Sequence, residues 1–160
     1  MAGIGQDDRA HACCEAIRDQ LSRRLPHETI FFGPAIENQN EPAIVALRAR
    51  GAHSFWVALP IEGVVFWDAH VGIVIDPVSL TGTIGVHRRR GSTRAARLFT
   101  TLMPLFRARG LGHTDAEAAD EEQWICKPRD LAGAAAIIAA GQDLAELFIA
   151  VRQRLAAGGT

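Results

Sequence analysis

The segment from His53 to Arg88 constrains the fold most. Three runs rich in β-branched and aromatic residues, His53 to Leu59, Val64 to Asp76 and Thr81 to Arg88, are separated by two short pieces of turn chemistry, Pro60-Ile61-Glu62-Gly63 and Pro77-Val78-Ser79-Leu80. Strands joined by loops this short run antiparallel, because a parallel crossover needs about a dozen residues or more. An antiparallel meander is therefore expected at the centre of the chain.

Around the meander the pattern turns helical. Asp7 or Asp8 can cap a first helix whose apolar face, Ala10, Cys13 or Cys14, Ile17, Leu21 and Leu25, is closed by Pro26. Glu28 to Phe32 suits a short strand, and Gly33 to Pro42 reads as a loop. Ala43 to Arg50 lies between Pro42 and Gly51, where a helix would start and stop, yet Ile44, Val45 and the alternation after them favour a strand. Ser92 or Thr93 can cap a middle helix carrying Leu98, Phe99, Leu102, Met103, Leu105 and Phe106, kinked at Pro104 and ended by Gly110. Gln123 to Lys127 is expected to form a short strand. Asp130 then caps a long alanine-rich helix through Leu144, Leu147, Phe148, Val151 and Leu155, with a break near Gly141. The order predicts a single α+β domain over residues 1–160, frayed at 1–6 and 157–160, with its helices packed on the sheet.

Composition narrows the class. With 160 residues, 48% apolar, the chain can bury a core; 22% charged residues and a net charge of −1 argue against disorder and against a protein that coats nucleic acid. Three cysteines, two of them adjacent at Cys13 and Cys14, suit neither a disulfide framework nor a zinc tetrad and point to a reducing cytoplasm. The first residues lack a secretory pattern, and the best uncharged apolar stretch, Leu131 to Gly141, is too short to span a membrane. A single lysine against many arginines, abundant alanine and no tyrosine suggest a GC-rich bacterial genome. No GxSxG, HExxH, CxxC or GxGxxG is present, and Ser54, Ser79 and Ser92 have no base and acid suitably spaced.

Histidines supply one candidate site. His53, His70 and His87 recur every 17 residues, one hairpin per interval. Pairing Leu59 with Val64 sets His53 opposite His70, and pairing Asp76 with Thr81 sets His70 opposite His87, with facing Cβ atoms about 4.5–5.5 Å apart. Asp68 would share their face. Such a row could hold zinc or another divalent ion through neutral imidazoles, with Asp68 as fourth ligand or supporting acceptor, and metal-activated water would then support hydrolase or lyase chemistry. A one-residue slip in register would put the histidines on opposite faces. In this reading the other face, with Trp56, Ala58, Trp67, Ala69, Val71, Ile73, Ile75, Ile84 and Val86, is the core face. Phe55, Val57, Leu59, Phe66 and Val74 would lie beside the histidines and need cover.

Charge supplies the other site. Seven arginines and no acid fall between Arg88 and Arg109, whereas five acids and no base fall between Asp115 and Glu122. Arg88, Arg89, Arg90, Ser92 and Arg94 surround a helix start whose free N–H groups favour an anion, and Arg50 could join them beside His53. The plainer reading has these arginines solvated and answered by the acidic stretch.

In element order alone the chain is similar to small bacterial secretion chaperones and to immunity or accessory proteins. The absence of catalytic signatures, the uneven charge and the mixed sheet face point to a cytoplasmic bacterial binding protein that acts through the meander and the Arg-rich helix start on a partner protein or a small anionic ligand, with a homodimer as one form of partner. The alternative is a small metal-dependent enzyme built on His53, His70 and His87.

Overall fold

A computed structural model describes residues 3–33, 55–115 and 121–158. Helix α1 spans Gly3–Arg24, and strands β1 (Phe31–Gly33), β2 (Phe55–Pro60), β3 (Ala69–Asp76) and β4 (Thr81–Arg89) follow. Helix α2 is Thr93–Ala108, strands β5 (Gly112–Asp115), β6 (Glu121–Ile125) and β7 (Arg129–Asp130) come next, and helix α3 is Ala134–Gly158. Every strand pair is antiparallel, in the order β1-β2-β3-β4-β6-β5, with β7 against the start of β4. The protein is a single α+β domain with an open sheet. The ambiguous segment 43–50 lies outside the described residues.

The expected meander is present, but only one of its two registers is the one expected. Asp76 accepts from the backbone N–H groups of Val78 (2.8 Å) and Ser79 (3.2 Å), which pins the loop before Thr81. His70 therefore faces His87 as the spacing predicts. The first connection is longer than expected. Ile61 to Asp68 coils into consecutive turns, with Val64 N–H on the Ile61 carbonyl and Asp68 N–H on that of Val65, so strand pairing resumes only at Ala69 and His70 lies opposite Pro60. The pairing that would set His53 there is overturned; His53 itself lies outside the described residues.

That register change also exchanges the two faces of β2, because side-chain direction repeats every second residue. Phe55, Val57 and Leu59 join Ala69, Val71, Ile73, Ile75, Ile84 and Val86 in the core beneath the helices, whereas Trp56 and Ala58 face the histidine side. Trp67, expected in the core, packs edge-on against Trp56 and Phe66 on that side (6.5 and 4.7 Å between ring centres).

The helices cover the core face. On α1, Ala10, Cys13, Cys14, Ile17, Leu21 and Leu25 are buried as the stripe predicts. The helix starts earlier than Asp7 or Asp8, at Gly3, so neither caps it. Ser92 caps α2, its hydroxyl accepting from Ala95 N–H at 3.2 Å, and Ala95, Phe99, Leu102 and Phe106 are buried. Strands β5 and β7 were not foreseen, and α3 begins after Gly133 rather than at Asp130. It also runs unbroken through Gly141. There the missing side chain admits Gln20 of α1, whose amide would sit 2.7 Å from an added Cβ and donates to the Ile137 carbonyl. Helix α3 is long and apolar enough by composition to cross a bilayer, but Leu144, Leu147, Phe148 and Val151 are buried in the core.

Candidate functional site: a cationic cavity beside the last helix

The histidine side of the sheet holds two of the three expected imidazoles. The His70 and His87 rings lie 5.1 Å apart, and Phe66, carried back over the sheet by the turn before β3, stacks on His70 at 4.7 Å. His70 Nδ1 donates to the Phe66 carbonyl at 3.2 Å. Burial, together with the neighbouring His87, pulls His70 down to about 3, and burial pulls His87 down to about 4 against the opposing hydrogen bond to Gln123. Both rings are neutral at physiological pH. His87 Nδ1 is buried without a hydrogen-bond partner. Asp68 is turned to other work: Ser92 Oγ donates to its Oδ2 at 3.3 Å, and Arg89 lies 4.0 Å from its Oδ1. Among the described residues no three His, Cys, Asp or Glu side chains come together as a metal site.

The arginine-rich helix start is largely answered from within the protein. Arg88 pairs with Glu122, Arg90 approaches the same carboxylate at 3.8 Å, and His113 reaches it at 3.1 Å. Burial alone would push the Glu122 carboxyl up, but the His113 hydrogen bond and the Arg88 charge outweigh it and hold the group below its ordinary value. Asp68 serves Arg89 and the capping Ser92, so a carboxylate of the chain already stands where an external anion was expected. Arg94 is exposed, and Arg50 lies outside the described residues.

The other end of that arginine run meets a cavity. Arg109 is the C-cap of α2, where its charge complements the negative end of the helix dipole, and Gly110 (φ 69°) turns the chain so that Leu111 N–H closes on the Phe106 carbonyl. Cys126 follows β6 and is held by its N–H on the Ile84 carbonyl at 2.8 Å. Arg129 comes from β7 and pairs with Asp143, which shares one side of α3 with Leu147 four residues on. Together Ile84, Arg109, Leu111, Cys126, Arg129, Asp143 and Leu147 line a cavity of about 250 Å³.

Its charge follows from the pairing within the lining. The Asp143 carboxylate is tied to Arg129, while among the described residues Arg109 has no ion pair. Two guanidiniums against one carboxylate leave a single positive charge in a lining that also includes the buried Ile84, Leu111 and Leu147. Burial raises the Cys126 thiol above its ordinary value despite the pull of Arg129 and Arg109, so it is not an activated thiolate. Sequence reasoning counted Arg109 within the basic run but missed Cys126, Arg129, Asp143 and Leu147. The one signal was an acid, Asp143, interrupting the apolar last helix.

No protein-family model, curated protein or solved structure matches this chain.

Proposed function

We propose that this is a small cytoplasmic bacterial binding or accessory protein whose ligand is a small anion, held in the cavity beside α3. The observation that carries this reading is the Arg109 guanidinium, exposed and without an ion pair among the described residues, in the lining of a cavity it shares with a second arginine and with aliphatic side chains. A guanidinium offers a fixed fork of donors matched to an oxyanion. The lining has no unpaired carboxylate to serve as a base and no activated nucleophile, which favours binding over catalysis. This reading puts the anion at the end of α2 rather than at its start.

The test is thermal denaturation in a panel of small anions at constant ionic strength. Saturable stabilisation by at least one of them, abolished in Arg109→Glu, is the expected outcome. Equal response of the wild type and the variant to every anion would overturn it.

A second reading, the metal-dependent enzyme, keeps one supporting observation: His70 and His87 stand opposite each other, deprotonated, with His87 Nδ1 unpartnered. Metal analysis of untagged protein and of His70→Ala decides it. About one equivalent of zinc or another divalent ion, lost in the variant, would support that reading.

A further inference from the structure

We infer that the outward face of α2, with the end of α3 beside it, docks an acidic segment of a partner protein. This surface is separate from the cavity and does not depend on the anion held there. Helix α2 carries Arg94, Arg97 and Arg107 and no acid over its whole length, and α3 carries Arg152 and Arg154 and no acid after Glu146. Glu28 answers Arg152, but Arg94, Arg97 and Arg154 are exposed with no ion pair among the described residues. Nor do these charges serve the helix. The first turn of α2 holds Arg94 and no acid, the reverse of what the helix dipole favours there.

Packing gathers three of the charges. Arg94, Arg97 and Thr101 follow at i, i+3 and i+7, so they share one flank of α2. The end of α3 crosses that flank: Arg154 Nε donates to the Thr101 carbonyl at 3.2 Å, and a Cβ added at Gly158 would lie 2.9 Å from Thr101 Cγ2. Arg154 is thereby tethered in line with Arg94 and Arg97, and its two terminal amino groups have no acceptor among the described residues. From Arg94 to Thr101 the helix rises about 10 Å. A cationic row of that length matches carboxylates at i and i+4 on a partner helix, or on alternate residues of a strand, both about 5–7 Å apart.

An acidic protein segment fits this face better than other polyanions. Phe99 and Phe106, the aromatic residues of α2, are buried, so the face offers no platform for stacking bases. Duplex DNA carries about one charge per 1.7 Å and would run on toward the acidic stretch, whose Glu121 pairs in register with Arg89 just before α2. Leu98, Met103 and Leu105 pack against the core and leave no apolar anchor for a bilayer.

Fluorescence anisotropy on the full chain with a labelled glutamate-rich peptide tests the inference, with a DNA duplex and phosphatidylserine vesicles as competitors. The peptide is expected to bind in a salt-dependent manner and more tightly than either competitor. Arg97→Glu should weaken it at least roughly fivefold and leave the melting temperature unchanged, since an exposed side chain gives up no packing. Arg97→Gln should fall between the two. Arg107→Glu changes the net charge equally but lies about 120° round the helix from Thr101, and should weaken binding less than about twofold. Arg109→Glu, which removes the proposed anion site, should also stay within about twofold, so the two readings fail independently. No binding, equal binding by wild type and Arg97→Glu, or an equal loss in Arg107→Glu would overturn the surface. Tighter binding of the duplex or the vesicles would overturn the assignment to an acidic protein segment.

Discussion

Among the described residues, His70 and His87 are those whose burial costs the protein most on acidification. Their folded pKa values, about 3 and about 4, lie below the unfolded value of about 6.5. The unfolded chain therefore binds more protons than the native one as pH falls below about 6.5, and stability declines down to the folded values. Glu122, the carboxylate held low, loses its contribution only at lower pH, below its ordinary range. Between pH 6.5 and 5 we expect urea unfolding to show a loss on the order of 1–3 kcal/mol. His87→Gln should shrink it. A flat profile across that window would show that the pair is solvated. At the same scale Glu122→Gln leaves Arg88, Arg90 and His113 without their shared carboxylate, and a loss of about 2 kcal/mol at neutral pH is expected by urea denaturation.

Two elements show how tightly the sheet is set. At Gly85, where β4 meets β6, an added Cβ would lie 2.4 Å from the Trp124 carbonyl oxygen and 3.0 Å from Ile125 Cα. Backbone on both strands would have to move, so Gly85→Ala should destabilise by about 1–3 kcal/mol in spite of alanine's lower unfolded-state entropy. Gly91→Ala meets nothing within 4 Å and should fall within about 0.5 kcal/mol of the wild type, which controls for the substitution itself. The turn before β3 is the second case. Phe66 touches Phe31, Trp56, Trp67 and His70 (4.1, 6.2, 4.7 and 4.7 Å between ring centres) and packs on the histidine face of the sheet, which no helix among the described residues covers. Phe66→Ala should cost about 3 kcal/mol and alter tryptophan fluorescence, since two indoles lose a neighbour. Unchanged stability and emission would mean that the turn does not hold this face together.

For the whole molecule the net charge of −1 is a cancellation between segments that the fold brings into contact. Glu122 from the acidic stretch is drawn between Arg88 and Arg90 because β6 pairs with β4. Among the described residues Arg94, Arg97, Arg107 and Arg109 have no ion pair, and the cavity lies at Arg109, at the far end of α2. The fold class was legible in the sequence because turn-bounded β-branched runs and helical stripes are local patterns: α1's buried face and the Ser92 cap follow from residue spacing alone. The second hairpin was legible for the same reason, since Asp76 ties down its own loop. The first was not, because the turns from Ile61 to Asp68 are held by Phe66 packing onto residues from β1, β2 and β3. No local signal carries such a contact.

The sequence alone determined that the chain is one α+β domain, that its centre is an antiparallel meander, and that His70 and His87 are neighbours. Tertiary structure alone decided the β2 register, and with it which face of that strand is core. It also decided that Asp68 and Glu122 neutralise the basic helix start, and that Arg109, Arg129, Asp143 and Leu147 converge. The physical reason is range. Periodicity and capping act within a few residues and are written in order along the chain. Ion pairs and cavities join residues from separate elements, and only the packing of sheet against helices sets which of them meet.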